Sequence, residues 1–153
     1  MAKNFFADNY PVIKYGALSP RYKKLLIEAK KAMKNAYDPY KNYKVGSALL
    51  TNSGRIISAA NVANSSYINS TCAERSAVAK ANSMGERRFK AIAVIGKPGN
   101  GENYVLTPCG ACRQIIYEFA RYSDRDIEVI MSNGTMDKII VLRISTLLPL
   151  AHR

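Results

Sequence analysis

Residues Thr71–Ala81 read TCAERSAVAKA, and residues Thr107–Gln114 read TPCGACRQ. All three cysteines of the chain, Cys72, Cys109 and Cys112, lie in these two stretches. Cysteines used as small buried hydrophobes would be scattered; these are gathered, and each group opens a helix-like run. From Cys72 to Ser83 the chain is alanine-rich, with Gly85 as a stop. From Cys109 to Tyr122, Pro108 suits the start and Ile115, Ile116 and Phe119 fall on one side. Cys109 and Cys112, three residues apart, share a helix face. Helix N-termini carry partial positive charge and free N–H groups, which stabilise thiolates.

Outward from these helices, the pattern alternates between periods of 3.6 and 2. Ser19-Pro20 reads as N-cap and first helical position. Leu25, Leu26, Ala29, Ala32, Met33 and Ala36 recur at helical spacing up to a stop at Asp38-Pro39. VGSALLT (Val45–Thr51) and RIISAA (Arg55–Ala60) flank Asn52-Ser53-Gly54, a hairpin signal. A loop runs from Asn61 to Ser70. KAIAVIG (Lys90–Gly96) is a nearly continuous apolar run and so a buried strand. DIEVIMS (Asp126–Ser132) and DKIIVLR (Asp137–Arg143) are strands joined at Asn133-Gly134, and the tail STLLPL follows. Such an order predicts an α/β sheet with helices packed on it. The two cysteine-led helices connect buried strands, and such crossovers lie side by side on one face. Residues 1–18, with Phe5, Phe6, Tyr10 and Tyr15, are read as an N-terminal arm preceding a catalytic domain of residues 19–153.

Three thiolates brought together repel one another. A borderline cation removes that repulsion, and tetrahedral Zn2+ is the usual choice. The odd cysteine count argues against a closed disulfide framework. No fourth cysteine completes a structural site, and the one histidine, His152, is read as a tail residue beside the C-terminus. Three ligands and one open corner describe a catalytic zinc that acidifies a water molecule. Glu74, alone, is a first-turn carboxylate favoured by the helix dipole. Beside three clustered cysteines it is expected to stand near that water, not as a ligand, and to carry its proton to a substrate. Arg75 is expected to donate to the thiolate sulfurs and offset their surplus charge, with Arg113 as a second candidate.

A chain of 153 residues, 48% hydrophobic, suits one globular domain. Its longest apolar runs are too short to span a bilayer, and MAKNFFADNYPVIKYGALS lacks a continuous apolar signal region. A cytoplasmic protein without a membrane partner is expected. The net charge is +12, with Arg21, Lys23, Lys24, Lys30, Lys31, Lys34, Lys41 and Lys44 in one early segment. A positive field can draw polyanions. Here it reads as the solvated face of an amphipathic helix. Trp is absent and no RNA-binding aromatic motif appears, so nucleic acid is not expected as a partner.

Cys72-Ala73-Glu74 followed by Pro108-Cys109-Gly110-Ala111-Cys112 resembles the zinc deaminase signature in its all-cysteine form. Pro39-Tyr40, Val45-Gly46, Asn61, Arg75, Arg113-Gln114 and Leu147-Leu148-Pro149 extend the resemblance to the small cytidine deaminases over about residues 20 to 149. The resemblance implies a three-layer α/β/α fold with a five-stranded mixed sheet and helices on both faces, and a homotetramer. It implies hydrolytic loss of the 4-amino group of cytidine or deoxycytidine in pyrimidine salvage, with Cys72, Cys109 and Cys112 on Zn2+ and Glu74 as proton shuttle contacting ring N3. It further implies that the Ala73 N–H and Thr107 carbonyl hold the pyrimidine edge, that Asn61 contacts the ribose, and that Tyr43 stacks on the ligand. Three positions depart from the family pattern. Ala63 stands where an N-x-E motif has glutamate, Tyr43 stands for phenylalanine, and the sequence closes at Arg153 without a C-terminal aromatic. The base end is therefore expected to be intact and the sugar end altered. Deamination of another aminopyrimidine, such as blasticidin S, is the alternative, although Ala111 stands where those enzymes carry arginine. The polynucleotide-editing branch usually has histidine in place of Cys72 and a helix where Asn133-Gly134 signals a tight turn here.

Overall fold

The structure is a computed structural model that describes residues 9–152. Phe5, Phe6 and Arg153, named above, lie outside the described residues. The first helix, α1 (Pro20–Met33), starts as the Ser19-Pro20 pair requires: the Ser19 hydroxyl accepts the Tyr22 N–H and proline occupies the first helical turn. Leu25, Leu26 and Ala29 are fully buried, and each such leucine contributes about 1.5–3 kcal/mol relative to exposure. The helix ends at Met33, five residues before Asp38. Tyr37 leaves the helical path because its N–H donates to the Asn61 carbonyl and its own carbonyl accepts from Ala63.

The sheet contains β1 (Lys44–Thr51), β2 (Ile56–Ala60), β3 (Phe89–Lys97), β4 (Glu128–Asn133) and β5 (Ile139–Arg143), in the spatial order β2-β1-β3-β4-β5. β1 is antiparallel to both β2 and β3, β3 is parallel to β4, and β4 is antiparallel to β5. The sheet is therefore mixed, as expected. The β1–β2 hairpin turns at Gly54, whose φ of +89° suits only a residue without a side chain.

Strand side chains alternate between two cores. Val45, Leu49, Ile92, Val94, Val129 and Met131 join one cluster with α2 (Ala73–Ser83) and α3 (Gly110–Ser123). Ala48, Leu50, Ala91, Ala93, Ile95 and Ile130 join the other with α1. One sheet thus separates two helical layers. α1 crosses β1 closely at Gly46, where a Cβ would meet the Ala29 carbonyl oxygen at 2.0 Å and the Met33 nitrogen at 2.7 Å.

The strand boundaries differ modestly from the sequence reading: β4 and β5 each begin two residues later. The tail contains a short helix, α4 (Ile144–Leu147), and the Asn/Ser loop contains a 3-10 turn at Tyr67–Asn69. Ahead of α1, the Ile13 N–H donates to the Ile139 carbonyl along the β5 edge, and Leu18 is buried in the α1-side core.

Candidate active site

β2–α2–β3 and β3–α3–β4 are successive crossovers on one sheet face, and both bring a helix N-terminus to the same end of the sheet. Cys72 is the N-cap of α2 and Cys109 the N-cap of α3. Neither sulfur caps its own helix, so both remain available to a ligand. The Cys72 and Cys109 sulfurs are 3.9 Å apart. The Cys112 sulfur, from the first turn of α3, joins them, and all three lie within 4.8 Å of one another. A tetrahedral zinc about 2.3 Å from each sulfur would space them about 3.8 Å apart, so the three thiols fit that ion. Among the described residues this is the one cluster of three or more such groups able to hold a metal.

The thiols share protons unequally. The Cys112 thiol donates to Cys72, and this is the largest influence holding Cys72 down to about 6; Cys109 and the positive field of Arg75 act in the same direction, against burial. Cys112 is pushed well up, first by donating to Cys72 and second by burial. One thiolate is thus already favoured where a cation would neutralise it.

Glu74, in the first turn of α2, is only 4% exposed. Burial pushes its carboxyl up from the ordinary 4.5 to about 7, and the Cys72 charge adds to this; hydrogen bonding from the backbone and the Cys112 thiol opposes it. A carboxyl titrating near neutrality beside three sulfurs suits general acid–base work. Ala73 is buried at the start of α2, and Thr107 is exposed two residues before Cys109.

Tyr43 is half-buried; burial first, and its contact with Tyr104 next, push its phenol well up, and the negative charges of Glu74 and Cys72 add to this. Its backbone is held at both ends: the Tyr43 N–H donates to Asp38 Oδ2 at 3.1 Å and its carbonyl accepts from Asn61 Nδ2 at 2.9 Å. Asn61 Oδ1 also accepts the Val45 N–H at 2.8 Å. The Asn61 amide therefore fixes the backbone that carries Tyr43, while one N–H and one lone pair remain for a ligand.

Arg75 is exposed and acts on Cys72 through its charge. Arg113 is turned elsewhere: its guanidinium donates to the Pro108 carbonyl at 2.9 Å and the Leu147 carbonyl at 3.2 Å. It thereby holds the turn before Cys109 against α4. Gln114 accepts the His152 N–H and donates to the His152 carbonyl, so the tail is tied to α3.

Two features escape the sequence reading. Asp38 accepts backbone N–H groups from Tyr40, Lys41 and Tyr43 and so shapes the loop into Tyr43; an Asx turn was the available signal. Tyr104, in the loop before Thr107, places its hydroxyl 3.4 Å from that of Tyr43. Nothing in the local pattern marks it, because the contact joins residues 61 positions apart.

The family model for the cytidine and deoxycytidylate deaminase zinc-binding region matches residues 20–124. A cytidine deaminase of Sporosarcina psychrophila is 47% identical over 100 residues, covering 65% of this chain and 71% of that protein. A blasticidin-S deaminase of Bacillus cereus is 34% identical over 122 residues, covering 76% of this chain and 81% of that protein. The 1.6 Å crystal structure of cytidine deaminase from Burkholderia pseudomallei matches with a TM-score of 0.76 and 39% identity, over 88% of this chain and 100% of that one. With three sulfurs and a buried carboxyl converging at two helix starts, the chain belongs to the zinc-dependent cytidine and deoxycytidylate deaminase family.

Proposed function

We propose that the protein is a zinc-dependent hydrolase that converts cytidine or deoxycytidine and water to uridine or deoxyuridine and ammonia. The observation that carries this reading is Glu74, buried beside three sulfurs spaced for one zinc; that burial pushes its carboxyl up to about 7. Zinc held by Cys72, Cys109 and Cys112 would supply Lewis-acid activation of the attacking water. Glu74 accepts a proton from that water and gives it to ring N3 as the water oxygen bonds to C4. It then takes the remaining proton of the new hydroxyl and passes it to the amino group, so that the C4–N bond breaks, neutral ammonia leaves and a C4 carbonyl remains. The Ala73 N–H and the Thr107 carbonyl grip the pyrimidine edge; a base with the opposite donor–acceptor pattern leaves them unpaired and is rejected. Tyr43 presents its ring to the ligand, Asn61 offers its remaining polar capacity to the ribose, and Arg75 balances thiolate charge.

Residues 1–18 form an arm on the catalytic domain, residues 19–153, and the working form is a homotetramer in the cytoplasm serving pyrimidine salvage. The three free cysteines suit a reducing compartment, and among the described residues no helix is long and apolar enough to cross a membrane. A second reading, deamination of another aminopyrimidine, draws on Ala63, which offers no acceptor to a sugar hydroxyl.

The test is Glu74→Gln. Zinc by elemental analysis should stay stoichiometric, and ammonia release from cytidine should fall by at least about a hundred-fold. Surviving turnover would refute the shuttle. Running the wild-type protein on cytidine, deoxycytidine, cytosine and blasticidin S separates the two readings.

A further inference from the structure

A cleft of about 370 Å3 opens beside the active site, lined by Lys41, Tyr43, Pro98, Gly99, Asn100, Glu102 and Tyr104. Tyr43 is common to this cleft and to the site: it lines the cleft, packs against the core cluster that contains Ala73, and is bonded through its carbonyl to the Asn61 amide. Its hydroxyl and that of Tyr104, on the same cleft, approach to 3.4 Å.

The backbone carrying each phenol is held. Asp38 and Asn61 hold the Tyr43 backbone. The Tyr104 loop is fastened on one side by Asn103 Nδ2 donating to Thr135 Oγ1 at 3.0 Å, and on the other by the Leu106 N–H donating to the Ser132 carbonyl. Gly99 seats the near end of the loop against the Lys41 carbonyl, where a Cβ would come within 2.2 Å.

Two phenols carry two O–H donors. One is spent between them. Whichever way that bond runs, one O–H remains directed by the pair rather than left to rotate freely, together with spare lone pairs. Such a hydroxyl pair, one partner half-buried and the other exposed on the cleft, can discriminate a ligand that has a hydroxyl from one that lacks it, because an unmet partner is left unpaired. The sugar of a nucleoside supplies hydroxyls, and Ala63 provides no side-chain acceptor for them.

We propose that the Tyr43–Tyr104 hydroxyl pair is the specificity element for the sugar of the nucleoside, with the spare phenolic O–H binding one sugar hydroxyl at the mouth of the cleft. This rests on the reading of the protein as a cytidine deaminase. The pair binds and orients; the proton transfers stay with Glu74.

The experiment compares wild type, Tyr43→Phe, Tyr104→Phe and the double variant on cytidine and on its 2′-deoxy, 3′-deoxy and 5′-deoxy analogues, measuring KM and kcat separately. Each phenylalanine keeps the ring, so zinc content and thermal stability should match wild type. On cytidine each single variant should raise KM about ten-fold with kcat within about two-fold, the loss of one hydrogen bond. The double variant should be no worse than the weaker single variant, because the two hydroxyls act as one unit. On at least one deoxy analogue the penalty should vanish, which identifies the hydroxyl bound. Equal penalties on all four substrates, or a fall in kcat alone, would overturn the proposal and leave the pair a structural contact. If the wild-type protein itself fails on cytidine, the deaminase reading falls, and the proposal with it.

Discussion

Glu74 shows how one residue can tax the fold and serve the reaction. Its carboxyl is buried beside thiols, and burial lifts it from 4.5 to about 7. A folded-state value above the unfolded one means that the native protein holds a proton more tightly than the unfolded chain between those pH values, so stability falls as pH rises through that window. The full cost, about 3 kcal/mol by linkage, is present above pH 7 and absent below about 4.5. Glu74→Gln keeps the shape and removes the titration. In chelator-treated protein, chemical denaturation should therefore show the variant more stable than wild type by up to about 3 kcal/mol at pH 7.5, with the gap closing as pH falls to 4.5. A gap that stays constant with pH, or that reverses, would contradict the burial account. The role of Glu74 is readable in the sequence only in company: two residues after a cysteine it is an ordinary first-turn acid, and the three sulfurs make it notable. Tyr104 is the opposite case, since its meaning comes entirely from Tyr43 across the fold.

At the level of elements, the site follows from where helices begin. The start of α2 can be read from the alanine-rich run that opens after Cys72 and that of α3 from Pro108 just ahead of Cys109, and both N-caps fall at the cysteines although neither sulfur makes a cap hydrogen bond. The end of α1 cannot be read this way: Ala36 continues the apolar period, yet Tyr37 exchanges backbone hydrogen bonds with the segment at Asn61 and Ala63 and pulls the chain straight. Tertiary pairing overrides periodicity there. β4 starts late because Asp126 accepts from Ser145 and the Ile127 carbonyl from the Ile144 N–H; β5 starts late because Asp137 and Lys138 belong to the turn bonded to Asn133; α4 is too short to carry a period. The packing of α1 on β1 depends on the missing side chain of Gly46, which faces the Ala29 oxygen and the Met33 nitrogen. Both are backbone atoms of one helix and cannot step aside singly. Gly46→Ala should force α1 away from the sheet and cost at least about 2 kcal/mol in denaturant unfolding, whereas Gly16→Ala, where a Cβ would meet nothing within 4 Å, should be nearly neutral. Equal stability of the two variants would mean that the close crossing is absent in solution.

For the whole molecule, the +12 charge and the apolar surface point in different directions. Several basic groups of the early segment are engaged within the chain: Arg21 pairs with Glu128, Lys31 with Glu28, Lys23 donates to the Gly16 carbonyl, and Lys41 lies 5.8 Å from the centre of the Tyr67 ring. Exposed pairs of this kind contribute little stability, but they argue for a solvated face rather than a groove aimed at a polyanion. Among the described residues, one loop leaves Tyr67 and Ile68 uncovered, 81% and 88% exposed, with Val62 at 51% nearby in sequence. Large apolar side chains grouped in this way mark contact surfaces, and the loop leads directly into Cys72, so a neighbouring subunit seated on it would lie close to the active site. Under the proposed homotetramer, light scattering should return four times the 16.9 kDa chain mass. Ile68→Asp would bury a carboxylate without a partner if the loop is an interface, and the mass should then drop to that of smaller species at micromolar concentration, with the thermal unfolding of the subunit otherwise little changed in dilute samples. A variant that keeps the full mass would place the subunit contacts elsewhere and leave this loop to solvent.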